Sequence, residues 1–223
     1  MSKKSILVVA AHPDDEALGC AGTLAKNAAE NNEVNICFLA DGETSREGAS
    51  RRDVDKRRAK SLDAAKIIGA NDVCFFNYPD NKLDTISLLD LAYTVEKVVD
   101  KYSPDTIFTH SYKDLNVDHE LTFRAVMTAA RPLPTSKILD IYSFEVLSST
   151  DWFKLDERFS PSVFVDITNY FELKIEALSC YEKEMRDFPH ARSNENVEYL
   201  ARVRGASIGC EYAEAFELIR SIR

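Results

Sequence analysis

The chain has 223 residues, 45% hydrophobic and 29% charged, with a net charge of −9. That length and balance suit one globular domain with a real core. The absence of a basic block argues against nucleic-acid binding, and no apolar run nears the ~18 residues of a membrane span. The apolar stretch after Met1-Ser2-Lys3-Lys4 is too short for a signal-peptide core. Cys20, Cys37, Cys74, Cys180 and Cys210 form no close sequence pair. They read as reduced thiols of a cytoplasmic protein and argue against a cysteine zinc site.

Ser5 to Ala10 is a short, β-branched run that reads as a strand buried on both faces. It exits into Ala10-Ala11-His12-Pro13-Asp14-Asp15-Glu16, and a helix is expected from about Leu18 to Asn31. The strand thus delivers one imidazole and three carboxylates to a turn stiffened by Pro13. The acids could simply cap the helix and suit its dipole. Packed together, however, they repel one another unless something positive sits among them, and a divalent metal is the simplest such partner. Val34 to Ala40 is a second strand ending in the polar loop Asp41-Gly42-Glu43-Thr44. The charged run Ser45 to Arg58 reads as a solvated helix face, unless Arg51 or Arg52 reaches back to hold substrate. That helix continues to Ile68 and is capped by Gly69.

Val73 to Asn77 is a third strand, followed by Tyr78-Pro79-Asp80-Asn81, where Asp80 reads as a turn residue, with a place at the rim of the site as the alternative. Ile86 to Tyr102 is a periodic helix, and Thr106 to Thr109 is a fourth strand. The βαβαβαβ order predicts an α/β, Rossmann-like, mostly parallel sheet with flanking helices. No Gly-x-Gly-x-x-Gly follows the first strand, so its crevice suggests a metal rather than a dinucleotide. The fourth strand opens into His110-Ser111-Tyr112-Lys113-Asp114-Leu115-Asn116-Val117-Asp118-His119, with a helix from about Glu120 to Ala130. If strands one and four are neighbours, His119 can meet His12, with Asp118 supporting a ring N–H.

Beyond Arg131-Pro132-Leu133-Pro134 the pattern changes. Residues 1–132 form the expected core and 133–223 a strand and helix extension completing the same domain. Ile141 to Val146 and Ser162 to Asp166 read as strands. Ser148 to Ser160 reads as a loop in which Trp152 and Phe153 either pack or stack on a sugar. Tyr170 to Asp187 reads as a helix, followed by Phe188-Pro189-His190-Ala191-Arg192-Ser193.

The His-Pro-Asp-Asp-Glu stretch resembles the signature of the zinc-dependent LmbE-like (PIG-L) N-deacetylases, which remove acetyl groups from N-acetylglucosamine-type sugars. The resemblance implies His12, Asp15 and His119 as zinc ligands and Asp14 as general base. Members commonly carry His-x-x-His or Asn-x-Asp-His at the second stretch, and where the first form occurs its first His stabilises the transition state. Here that position is Asn116, a departure from the pattern. Similar His-x-Arg-Ser segments near the family's C-terminus make His190 the candidate for meeting the oxyanion, ahead of His110. His110, Asn116, Asp118, Arg51, Arg52 and Arg192 are the further supporting or substrate-binding candidates. The Arg204-Gly205 and Glu211 to Phe216 segments also match the family's tail. The implied partner is a small N-acylated sugar. If the His190 loop cannot reach its own metal, it would complete a neighbour's site in a homo-oligomer. A magnesium phosphohydrolase, which would tolerate two histidines poorly, and a non-catalytic metal or sugar binder remain as alternatives.

Overall fold

Two strands decide where everything else goes. β1 (Ser5–Ala10) and β4 (Thr106–His110) lie side by side, parallel, with all but the first residue of the pair fully buried. Their apolar, β-branched sequences suit a position covered on both faces. The computed structural model describes residues 3–152 and 158–223. Around the central pair, β2 (Glu33–Ala40), β3 (Asp72–Tyr78) and β5 (Asp140–Phe144) are also parallel. β6 (Val163–Asp166) and β7 (Ala213–Ser221) add antiparallel, giving the seven-stranded order β3-β2-β1-β4-β5-β7-β6. The order reverses between β1 and β4, so their exit loops open side by side into a crevice.

Helices cover both faces. α1 (Asp15–Ala29), α2 (Arg51–Ile68), α5 (Phe171–Ser179) and α6 (Asn194–Ala206) bury one core, around Val8, Leu24, Phe38, Ile68, Phe144 and Phe216. α3 (Leu88–Tyr102) and α4 (Val117–Ala129) bury the other, around Leu7, Leu39, Leu91, Val95 and Ile107. The α/β, mostly parallel sheet with a C-terminal strand and helix extension is the expected architecture. No helix among the described residues is long and apolar enough to cross a membrane, and all five cysteines are free.

Several element bounds differ from the sequence reading, and one strand was not read from it at all. The expected helix Tyr170 to Asp187 stops at Ser179. Beyond it, Tyr181 and Glu184 turn inward to Glu16 and Arg57, contacts that a continued helix would not make. The Ala213-Glu214-Ala215 stretch has helix-forming composition, but becomes β7 because it fills the gap between β5 and β6. α4 starts at Val117, three residues early, because the Asn116 side chain caps it by accepting from the Asp118 N–H.

α1 must sit close to the sheet to hold its first turn over the crevice. Gly19 permits this: a Cβ there would lie 2.3 Å from the Phe144 ring. A buried ion pair then fixes the helix. Lys174 Nζ lies 2.6 Å from Glu214 Oε1 and also donates to the Leu18 carbonyl, while Glu214 accepts from the Gly22 and Thr23 amides. Breaking such a pair leaves a buried charge alone. Glu214→Ala is therefore expected to cost about 3–5 kcal/mol in denaturant unfolding; a loss under about 1 kcal/mol would show that the pair does not anchor α1.

Candidate metal centre and active site

The turn after β1 is held from several sides. The His12 N–H donates to Asp15 Oδ2 at 2.8 Å, and the Asp14 N–H to Glu16 Oε2 at 3.0 Å. Asp14 has φ 127°, a backbone conformation that side-chain-bearing residues rarely adopt. Such strain costs on the order of 1–3 kcal/mol and persists only where the surroundings impose it. Asp14, Asp15 and Glu16 are all buried, Asp15 and Glu16 completely. Burial drives the Glu16 carboxyl up to about 8, although the Tyr181 hydroxyl donates to it.

Three side chains converge beside this turn, Asp15 through both of its oxygens. His12 Nδ1 lies 3.3 Å from Asp15 Oδ2 and 3.3 Å from His119 Nε2, and His119 Nε2 lies 3.4 Å from Asp15 Oδ1. A tetrahedral ion with bonds near 2.0–2.1 Å would separate its ligands by about 3.3–3.4 Å. Asp15 Oδ1 is buried without a hydrogen-bond partner, as expected of an oxygen awaiting a cation. The opposite ring nitrogens are already engaged. His12 Nε2 faces Asp118 at 3.0 Å and Asp80 at 3.2 Å, and His119 Nδ1 faces Asp114 at 3.1 Å. With the outer N–H of each ring held by these carboxylates, loss of the inner proton to a metal would make Nδ1 of His12 and Nε2 of His119 the lone-pair donors. The surroundings favour positive charge. Burial pushes His119 down, but Asp15 and Asp114 outweigh it and hold the ring at about 9. Burial likewise opposes the charged form of Asp15, yet the neighbouring His119 holds it well below the carboxylate range. The residues therefore fit a divalent metal.

Beside the donors opens a pocket of about 120 Å³, lined by His12, Asp14, Ser45, Arg46, Arg57, Asp80, Asn81, Asn116, Glu184 and Arg192, among others. Two guanidiniums reach one oxygen of Asp14: Arg192 Nη1 at 2.9 Å and Arg57 Nη2 at 3.2 Å from Oδ2. Burial raises the Asp14 carboxyl against the pull of these arginines. Arg57 also donates from Nε to the Pro13 carbonyl at 2.8 Å and pairs with Glu184, which takes two bonds from Arg46.

A family model described as PIG-L, GlcNAc-PI de-N-acetylase, matches residues 7–130, more than half of the chain. The chain belongs to the LmbE-like (PIG-L) family. Within it, the Escherichia coli uncharacterized deacetylase YaiS is 28% identical over 182 residues, covering 79% of this chain and 89% of that one. The 4-oxalmesaconate hydratase of Pseudomonas putida is 28% identical over 198 residues, covering 80% of this chain and 73% of that one. The solved structure of N,N'-diacetylchitobiose deacetylase from Pyrococcus horikoshii has the same fold. It has a TM-score of 0.78 and 24% identity, and covers 97% of this chain and 84% of that one.

The adjoining exits of β1 and β4 bring His12 and Asp15 together with His119, and Asp14 lines the pocket beside them. Asp118 does support a ring nitrogen, that of His12, and also ties down the loop after β3 by accepting from the Asn81 and Leu83 amides. His110 lies beneath the site, its Nε2 accepting from the Ala11 N–H at 2.8 Å and its ring stacked on His119. Burial and His119 push it down to about 4, so it is neutral. Asn116 caps α4 and lines the pocket. His190 is exposed, and its Nδ1 accepts the Arg192 N–H; from that loop Arg192 lines the pocket and His190 is not among the lining residues. Arg51 and Arg52 are exposed, Arg51 pairing with Asp55 on the helix surface. Trp152 is exposed and is not among the pocket-lining residues; Phe153 lies outside the described residues.

Sequence reasoning missed Arg57, Asp114 and Glu184, and took Asp80 for a turn. Arg57 was findable. Val54, Ser61, Ala64 and Ile68 mark the buried stripe of α2, and Arg57 falls on it at helical spacing. Asp114 is fixed by Ser149 and Thr150 hydroxyls from a distant loop, a contact with no local signal. Asp114→Asn is expected to weaken metal affinity about 10–100-fold, measured by chelator competition; unchanged affinity would mean that Asp114 does not orient His119.

Proposed function

We propose that the chain is a zinc-dependent hydrolase that removes an acetyl group from the amide nitrogen of an N-acetylglucosamine-type sugar or glycoconjugate precursor. The observation that carries this reading is the pair of imidazole nitrogens 3.3 Å apart, each 3.3–3.4 Å from an oxygen of Asp15, with a buried carboxylate, Asp14, beside them. Two imidazoles and one carboxylate favour zinc over magnesium and leave a position open. Zinc in such a set polarises a carbonyl oxygen and lowers the pKa of water toward 7. Asp14 would accept the proton of the attacking water and return it to the departing nitrogen. Arg57 and Arg192 both hold Oδ2, which leaves Oδ1 for that transfer. Arg192, rather than His190, would meet negative charge developing on the substrate, since it is the cation which that loop presents to the pocket.

The pocket wall supports a hydroxyl-rich substrate: Ser45, Asp80, Asn81 and Asn116 offer hydrogen-bond groups with little apolar surface. A second reading, hydration of an unsaturated carboxylate as in the Pseudomonas putida relative, is favoured by Arg46, Arg57 and Arg192 on the same wall. Their charges are already matched by Asp14, Glu43 and Glu184, so the wall holds no surplus positive charge for a polyanion. Deacetylation is therefore the preferred reading.

The test is acetate release from a panel of N-acetylated sugars, run beside hydration of unsaturated carboxylates followed by ultraviolet absorbance. Asp14→Asn is expected to keep zinc but lose about two or more orders of magnitude in kcat. Full activity in that variant, or hydration without acetate release, would overturn the reading. His190→Ala is expected to stay within about threefold of native, whereas Arg192→Ala loses about a hundredfold in kcat, near 3 kcal/mol. The reverse ranking would return the role to His190.

A further inference from the structure

Beneath Asp14 lies a pair of side chains that the chemistry above leaves unused. Glu16 Oε2 accepts the Asp14 N–H at 3.0 Å, and Glu16 Oε1 accepts the Tyr181 hydroxyl at 2.6 Å. Both residues are buried and neither lines the pocket. An exposed first-turn carboxylate would serve the helix dipole as well, so the dipole does not account for a glutamate enclosed here with a tyrosine as partner. The bond ends on the one residue of the turn whose backbone is left-handed without being glycine. Tyr181 also acts from a second direction. Its ring lies 5.6 Å from the Arg57 guanidinium, which holds the Pro13 carbonyl and the Asp14 carboxylate. One tyrosine from the segment after α5 thus supports the Asp14 main chain through Glu16 and the Asp14 side chain through Arg57.

Resting on the reading of Asp14 as proton carrier, we propose that Glu16 and Tyr181 are positioning residues for it. The Tyr181 hydroxyl fixes the Glu16 side chain, and Glu16 holds Asp14 in the backbone conformation that aims its carboxylate into the pocket. Neither supplies an atom to the three-donor cluster, so their loss should leave metal binding intact.

The experiment compares zinc-loaded native protein with Glu16→Ala, Glu16→Gln, Tyr181→Phe and Asp14→Asn. The readouts are zinc per chain, kcat and KM for acetate release from N-acetylglucosamine, and crystal structures. Glu16→Ala and Tyr181→Phe are expected to lower kcat about ten- to a hundredfold, with KM within about twofold and zinc unchanged. Glu16→Gln is expected to recover most of the rate, because its amide oxygen can accept from Asp14 and its nitrogen can donate to Tyr181. In crystals of Tyr181→Phe, the Asp14 carboxylate should shift from Arg57 and Arg192 while His12, Asp15 and His119 stay in place. If Glu16→Ala does not fold, Tyr181→Phe decides, since it removes a single oxygen. An inactive Asp14→Asn beside native kcat and an unmoved Asp14 in Tyr181→Phe overturns the positioning role alone. A fully active Asp14→Asn overturns the reading of Asp14 on which it rests. Loss of zinc in Tyr181→Phe overturns positioning through Asp14 in favour of support for the metal donors.

Discussion

Three consecutive carboxylates, Asp14, Asp15 and Glu16, are buried side by side at the exit of the first strand. Burying a charged carboxylate is costly, and three adjacent carboxyls are tolerable only if each is compensated or, like Glu16 with its carboxyl driven up to about 8, keeps its proton near neutrality. The protein separates them. Asp15 faces the two imidazoles and the place for a cation, Asp14 faces two guanidiniums, and Glu16 faces a tyrosine hydroxyl and a backbone amide. These partners come from α4, α2 and the segments flanking α5 and α6. Much of the tertiary structure around the crevice can be understood as bringing compensating groups to one turn.

This constraint also explains the C-terminal extension. The parallel core alone would present His12, Asp15 and His119, because β1 and β4 are neighbours at the point where strand order reverses. It would leave Asp14 with Arg57 only, and Glu16 with no hydroxyl. Tyr181, Glu184 and Arg192 supply the remainder. The buried Lys174–Glu214 pair ties α5 and β7 to the middle of α1, so the extension and the catalytic turn share one rigid support.

What could be read from the sequence follows the range of the interactions. Buried strands announce themselves as unbroken apolar runs, and the parallel core followed from their alternation with helices. The cluster of His12, Asp15 and His119 was legible through the resemblance of the contiguous signature to the family's, and because His119 follows a strand that can adjoin the first. The arginines were so only in part: Arg192 stood among the candidates and Arg57 did not. Arg51, Arg52 and Arg57 share one charged helix, and only the buried stripe of α2 separates the last from the others. His190 and Arg192 are two residues apart in one loop, and which of them enters depends on the local turn in which the Arg192 amide bonds back to the His190 ring. β7 was hidden because its Ala and Glu content speaks for a helix, and only the gap between β5 and β6 makes it a strand.

The account stands on the claim that His12, Asp15 and His119 are the ligands of one metal ion. The direct measurement is the metal content, by elemental mass spectrometry, of the protein purified without added metal, for the native chain and for His119→Ala. About one zinc per native chain, lost in the variant, is the predicted result. No zinc in the native chain, or zinc retained in full by His119→Ala, would contradict it.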